Sequence, residues 1–200
     1  MARSDSAPHF TSMEPDSDEL LSTRQARKRR QALILRNYEK QRRRNLLAKP
    51  GVHRFVLVLD HLKAGFNVPK IFRSAEAFGA REVHLVDIGP FDPSPAKGAF
   101  RKVPARFHDR FEQAHAALAS KGYHFYALTP SPESEPIHRI RFPEKSAFIL
   151  GHEERGLSFD PADWPGILPV HIPQFGEVES LNVSVAASIV MYEYIRQHHA

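Results

Sequence analysis

The chain has 200 residues, 42% of them hydrophobic, enough for one domain with a real core plus an appendage. It contains no cysteine, which excludes disulfides, a thiolate nucleophile and cysteine-based zinc sites and fits a reducing, cytoplasmic location. The net charge of +5 is unevenly placed: ten of the 28 Lys and Arg lie in residues 24–44 against Glu39 alone, leaving 18 basic and 22 acidic residues elsewhere.

No apolar run of about 18 residues is present to span a membrane, and the polar, acidic N-terminus lacks the apolar core of a secretory signal. Residues 1–23, rich in Ser, Asp, Glu and Pro, read as a disordered tail. Residues 23–47 turn helical in propensity, with no Gly or Pro until Pro50. Their apolar residues, Leu33, Ile34, Tyr38, Leu46 and Leu47, offer only a narrow stripe for docking, so residues 24–50 read as a basic extension. It is either a solvated helix or arm, or a surface whose guanidiniums take nucleic-acid phosphates: Arg27, Arg29, Arg30, Arg36, Arg42, Arg43 and Arg44. One-signed charge of this density repels itself without a polyanion, which favours the second reading.

Residues 51–200 read as the folded domain. Residues 54–59 are a continuous apolar run, the mark of a strand covered on both faces. A loop over 60–66 leads into a helix over 67–78, with Val68, Ile71, Phe72, Ala75 and Phe78 on its buried face and Gly79 at its end. A strand over 82–87 precedes an irregular loop with four prolines over 88–104. A short strand over 105–108 is followed by a helix capped by Asp109 and ended by Gly122, then by a strand over 123–128. After a polar connection comes a strand over 147–150, a loop over 151–156, and a turn at 161–164 that Ser158 is placed to cap. The last elements are a strand over 168–172, a loop over 173–179 and a helix over 181–197 with Val185, Ile189, Tyr192 and Ile195 at helical spacing. This order predicts an α/β domain with a mainly parallel sheet.

Motif searches exclude several chemistries. There is no G-x-G-x-x-G after the first strand, no G-x-x-x-x-G-K-[ST] and no G-x-S-x-G. The 12 histidines show no metal-ligand spacing; His198 and His199 read as solvated, and His152 as a positioned polar group rather than a ligand. No metal is expected. What remains is the last third, where two strands run into loops in succession and the second loop opens a helix. That is where an α/β protein builds a ligand site.

Three segments carry a resemblance. Residues 67–79, N-V-P-K-I-F-R-S-A-E-A-F-G, match an N-x₅-R-x-A-x-x-x-G helix. Residues 151–156, G-H-E-E-R-G, match a G-x-E-x-x-G loop. Ile172-Pro173 followed by Ser180-Leu181-Asn182-Val183-Ser184 matches an I-P…S-L-N-V-S segment. Together and in this order they resemble the SpoU/TrmH-type ribose 2′-O-methyltransferases of the SPOUT superfamily, over residues 52–200. The resemblance implies a SPOUT-type α/β domain with a C-terminal deep trefoil knot, which pattern reading would never propose. It also implies an S-adenosylmethionine pocket, a homodimer with the active site near the subunit interface, and RNA as substrate. Transfer RNA is favoured over rRNA, because no further RNA-binding domain is recognisable. The family usually carries Gly-Ala where this chain has Pro69-Lys70, and Pro is tolerated in a first helical turn.

By the same resemblance, Arg73 is the cation that favours the developing alkoxide, with Asn67, Glu153, Ser180 and Asn182 completing the catalytic set. Arginine is a poor base because its guanidinium stays protonated in proteins. Cofactor contacts fall to Thr129, Gly151, Ile172 and Leu181, and Lys70 adds positive charge towards the RNA. Each residue has a plainer reading: Arg73 paired with Glu76, Asn67 or Ser180 as helix caps, Glu153 as a solvated loop acid, Ile172 and Leu181 as core. A non-catalytic RNA-binding protein on the same fold is the alternative function.

Overall fold

The structure, a computed structural model, describes the backbone of residues 17–199 and the side chains of residues 24–199. The tail reading of residues 1–16 lies outside the described residues. The chain divides into two compact units, residues 1–33 and residues 34–200. The described part of the first is the opening of helix α1 (Ser17–Asn45), where Arg27, Arg29 and Arg30 are all exposed. The helix thus starts six residues before its expected position and includes residues 17–23.

In the second unit seven strands form one sheet: β1 (Val56–Asp60), β2 (Glu82–Val86), β3 (Ala105–His108), β4 (His124–Leu128), β5 (Glu135–Pro136), β6 (Ser146–Leu150) and β7 (Ile167–His171). Their order is β3-β2-β1-β6-β4-β7-β5, and every recorded pairing is parallel. Helices α2 (Asn67–Ala77), α3 (Phe111–Ala119) and α4 (Val183–His198) lie in the same unit, together with the C-terminal part of α1. The apolar runs of β1 and β6 follow from cover on both faces. Phe55, Leu57, Leu59, Phe148 and Leu150 join the core formed with α2 and α4, while Val56, Val58, Ala147 and Ile149 join the core formed with α3.

Only part of the expected docking stripe of α1 docks. Leu46 and Leu47 are each 83% exposed, whereas Tyr38 is 3% exposed and packs on Phe91 and Phe100. Asn45 is buried too; it donates to the carbonyls of Phe100 and Val103 and accepts from Ala105 N at 2.9 Å. The proline-rich stretch 88–104 is not a bare loop. It holds two 3-10 turns, Ser94–Ala96 and Ala99–Arg101, and supplies the surface on which Tyr38 rests.

Several local expectations are corrected. Arg110, not Asp109, is the N-cap of α3; the Asp109 backbone N–H instead donates to Gln113 Oε1. Asp160 caps the short turn Pro161–Asp163, freeing Ser158 to donate to Asp60. The two-residue strand β5 carries no periodic signal and was not expected. On α4 the buried residues are Val183, Ser184, Ala187, Val190, Met191 and Tyr194, while Val185 and Tyr192 are exposed. Helical spacing identifies a stripe, but not whether that stripe meets the sheet. His198 is not simply solvated: it stacks on Tyr194, with Nε2 2.8 Å from Phe142 O.

Candidate active site

The carboxyl ends of β4, β6 and β7 lie side by side, and the segments leaving them meet the start of α4 around a cavity of about 470 Å³. This size falls in the usual range for small-ligand sites. Thr129, Gly151, Glu153, Ile172, Ser180, Leu181 and Asn182 all line it. Leu128, Leu150, Val170 and Val183 supply apolar wall. Seven of the nine residues expected for catalysis and cofactor binding therefore share one hollow, though they are spread over more than 50 positions of the chain.

Glycine is required at 151 for a steric reason. The loop closes on itself through His152 N to Gly156 O at 2.7 Å and Gly156 N to His152 O at 2.9 Å. A Cβ at Gly151 would lie 2.5 Å from the backbone of Gly156, inside any tolerable contact, and Gly156 itself has φ +73°. Within the loop the His152 ring is buried, and its Nδ1 accepts from Glu154 N at 3.0 Å and Arg155 N at 3.3 Å. That histidine is a loop brace, as its sequence context suggested. Below it, Asp60 at the end of β1 accepts from Ser158 N and Ser158 Oγ at 2.6 and 2.9 Å, tying the loop to the sheet.

Asn182 is the N-cap of α4, and its Oδ1 accepts from Ser184 N at 3.0 Å; Ser180 therefore does not cap that helix. Asn182 Nδ2 donates to Asn67 Oδ1 at 3.2 Å, and Asn67 Nδ2 donates to Glu153 Oε1 at 2.7 Å. This chain links the three motif segments through side chains alone. Asn67 is the first residue of α2 but caps nothing, since Phe66 holds the cap position. Burial pushes the Glu153 carboxyl upward, yet it stays below its ordinary value. The Asn67 hydrogen bond, nearby backbone N–H groups of Glu153 and Lys63, and His152 all favour the anion. Glu153 Oε2 is buried with no hydrogen-bond partner among the described residues.

Arg73 and Lys70 are not in this cavity. They are exposed on α2 and line a groove between α2 and α4 with Phe78, Val185, Ile189 and Tyr192. Ser74 Oγ and Ser188 Oγ, 2.9 Å apart, join the two helices at its floor. The plain reading of Arg73 as a partner of Glu76 does not hold, because Glu76 Oε1 binds Lys102 Nζ at 2.8 Å. Of the basic residues of α1 in the second unit, Arg36, Arg43 and Arg44 are exposed, while the Arg42 guanidinium sits 4.2 Å above the Phe107 ring. None of the four lines the cavity.

Sequence reasoning missed His171. It lines the cavity and is held by Ser134 near β5, with Nδ1 2.9 Å from Ser134 Oγ and 3.1 Å from Ser134 O. Because a carbonyl only accepts, Nδ1 carries the proton and Nε2 is left as the free ring nitrogen. No local signal announces this pairing, since the two residues are 37 positions apart. Among the described residues no group of three or more His, Asp or Glu is gathered for a metal ion, and no helix is long and apolar enough to cross a membrane.

Known proteins are similar to this chain in sequence or fold. A tRNA (guanosine(18)-2'-O)-methyltransferase of Thermus thermophilus is 28% identical over 148 residues, covering 70% of this chain and 74% of that protein. A 23S rRNA (guanosine-2'-O-)-methyltransferase of Xylella fastidiosa is 29% identical over 168 residues, covering 82% and 67%. The fold of an AdoMet-bound rRNA methyltransferase from Sinorhizobium meliloti superposes with a TM-score of 0.67 at 23% identity, over 78% of this chain and 60% of that one. Residues 54–192 match the SpoU rRNA Methylase family, and the chain belongs to that family of RNA methyltransferases.

Proposed function

We propose that the protein transfers a methyl group from S-adenosylmethionine to a ribose 2′-hydroxyl of structured RNA. The observation that carries this reading is the chain Asn182–Asn67–Glu153, which joins the three motif segments at the edge of one cavity. The cavity fits the donor's chemistry: apolar walls at Leu128, Leu150, Val170, Ile172 and Leu181 suit an adenosyl group, with Thr129, His171 and Asn182 among the polar groups beside them. Thr129, Gly151, Ile172 and Leu181 would hold it. Bound S-adenosylmethionine supplies an electrophilic sulfonium methyl.

The residues of the chain have the remaining work. The Gly151 loop and the start of α4 fix the walls in one geometry, so that the donor is oriented before the acceptor arrives. Glu153 and Asn182 hold Asn67 from both sides, and Ser180 stands at the rim. Arg73 presents a permanent positive charge that stabilises an alkoxide as it develops. Its place in the α2–α4 groove, rather than in the donor cavity, supports a homodimer. The groove holds about 570 Å³ and carries exposed Val185 and Tyr192 beside Phe78, an apolar face that a second copy would cover while bringing Arg73 to a shared site. The C-terminal trefoil knot belongs to the same reading. It is supported by the way the loops after β6 and β7 jointly wall the cavity.

Residues 24–50 serve as the RNA-facing extension of the 51–200 methyltransferase domain, with Arg27, Arg29, Arg30, Arg36, Arg43 and Arg44 on phosphates and Lys70 nearer the reacting ribose. Arg42 is partly diverted to Phe107. Transfer RNA is the substrate proposed, and relatives are named for both tRNA and rRNA. Incorporation of labelled methyl into RNA by wild type, its loss by at least about 100-fold in Arg73→Ala, and retained donor binding in that variant by calorimetry are the expected results. Salt-sensitive RNA binding without any incorporation would establish the non-catalytic alternative instead.

A further inference from the structure

Phe66 occupies the N-cap position of α2, where Ser, Thr, Asp and Asn are preferred because their side chains satisfy a free backbone N–H. Phe66 makes no such bond, and its ring is 67% exposed. The position thus forgoes a cap and leaves a large aromatic in water, two local costs at a residue adjoining the motif residue Asn67. Violations of local preference of this kind gather at functional positions.

The surroundings indicate what the ring is for. Phe66 lines a second cavity, of about 380 Å³, with Lys63, Gly65, Asn67 and Glu153. Glu153 also lines the donor cavity, so the two hollows share a wall. In a methyl transfer the acceptor must sit beside the donor, and no other cavity described above shares a residue with the donor site. The second cavity sets the Phe66 ring beside the hydrogen-bonded Asn67 and Glu153 side chains and beside Lys63, whose Nζ pairs at the surface with Glu154 Oε1 at 2.6 Å. An exposed ring for the base is the central element of a site for an unstacked nucleotide, and the Lys63–Glu154 pair is exposed enough for Lys63 to exchange its partner for a phosphate.

We propose that this cavity receives the nucleoside that is methylated, with Phe66 stacked on its base. The proposal rests on the RNA methyltransferase reading and adds to it the seat of the acceptor. Because every base has a π-face, Phe66 contributes affinity and positioning rather than base identity.

The test compares wild type with Phe66→Ala, Phe66→Leu and Phe66→Tyr, using labelled S-adenosylmethionine at saturation and RNA prepared from cells lacking the protein. The Ala and Leu variants lose about tenfold or more in kcat/KM for RNA, while Tyr stays within about threefold of wild type. Calorimetric affinity for S-adenosylmethionine is the same in all four. Full activity in Phe66→Ala, equal rescue by Leu and Tyr, or a parallel fall in donor affinity each overturns the proposal while leaving the methyltransferase reading intact. Absence of incorporation by wild type overturns both.

Discussion

Gly151 shows how a single residue sets the shape of the candidate site. Its missing side chain lets the 151–156 loop close, since a Cβ there would meet Gly156 backbone at 2.5 Å. Gly151→Ala is therefore expected to open the loop and weaken S-adenosylmethionine binding by roughly tenfold or more, with little change in melting temperature because the loop lies outside the core; calorimetric titration and thermal melts check this. Glu82 illustrates a residue outside the site whose charge matters for folding. It is nearly buried on β2, faces His84 Nε2 at 3.2 Å, accepts from Arg106 Nε at 3.0 Å and has Lys121 Nζ at 3.7 Å. With His84 as the main cause and Arg106 assisting, its carboxyl is held down from 4.5 to about 2. A depressed carboxylate stabilises the fold above its unfolded value and loses that contribution as pH falls through the folded one. Glu82→Gln should thus be less stable than wild type at neutral pH by about 2–3 kcal/mol. The gap should close between about pH 4.5 and 2, as measured by denaturant titration at several pH values.

Among the elements, α1 carries the clearest difference between expectation and structure. Its charge marks it as an extension, yet Tyr38 and Asn45 bury its C-terminal half against residues 91–105. Asn45→Ala would strand two carbonyls and one amide, and is expected to cost about 2–4 kcal/mol in chemical denaturation. Leu46→Ala and Leu47→Ala, at exposed positions, should stay within about 0.5 kcal/mol of wild type. Sequence pattern points to Tyr38 and the leucines because they are apolar; the structure keeps Tyr38, leaves Leu33, Leu46 and Leu47 exposed and adds the Asn45 amide, because the facing surface offers rings and unpaired backbone groups. In α4 the same lesson concerns a face. The regular spacing of Val185, Ile189, Tyr192 and Ile195 is real, but the sheet packs on Val183, Ala187, Val190 and Tyr194. Both stripes have helical period, so periodicity cannot choose between them.

At the scale of the whole molecule, the exposed part of that stripe, Val185 and Tyr192, becomes the strongest support for a homodimer. Tyr192 is 60% exposed beside Phe78, in the groove that also holds Arg73. Tyr192→Asp would place an unpaired charge in that face and is expected to yield monomers by analytical ultracentrifugation, with methyl transfer falling alongside Arg73→Ala if the site is shared. A stable, active monomer would remove the dimer from the mechanism.

What the sequence determined by itself was the parallel α/β class, the continuous runs of the central strands and the three motif segments, because each depends on local pattern or on short fixed spacing. Glycine at 151, asparagine at 67 and 182 and glutamate at 153 are all legible there. Tertiary structure alone decided how they are joined: that Asn67 receives Asn182 and donates to Glu153, that His171 is fixed by Ser134, and that Arg73 stands apart in another groove. Those relations cross from 37 to 115 positions of chain. They are set by the order in which strands enter the sheet, and no periodicity along a single segment encodes that order.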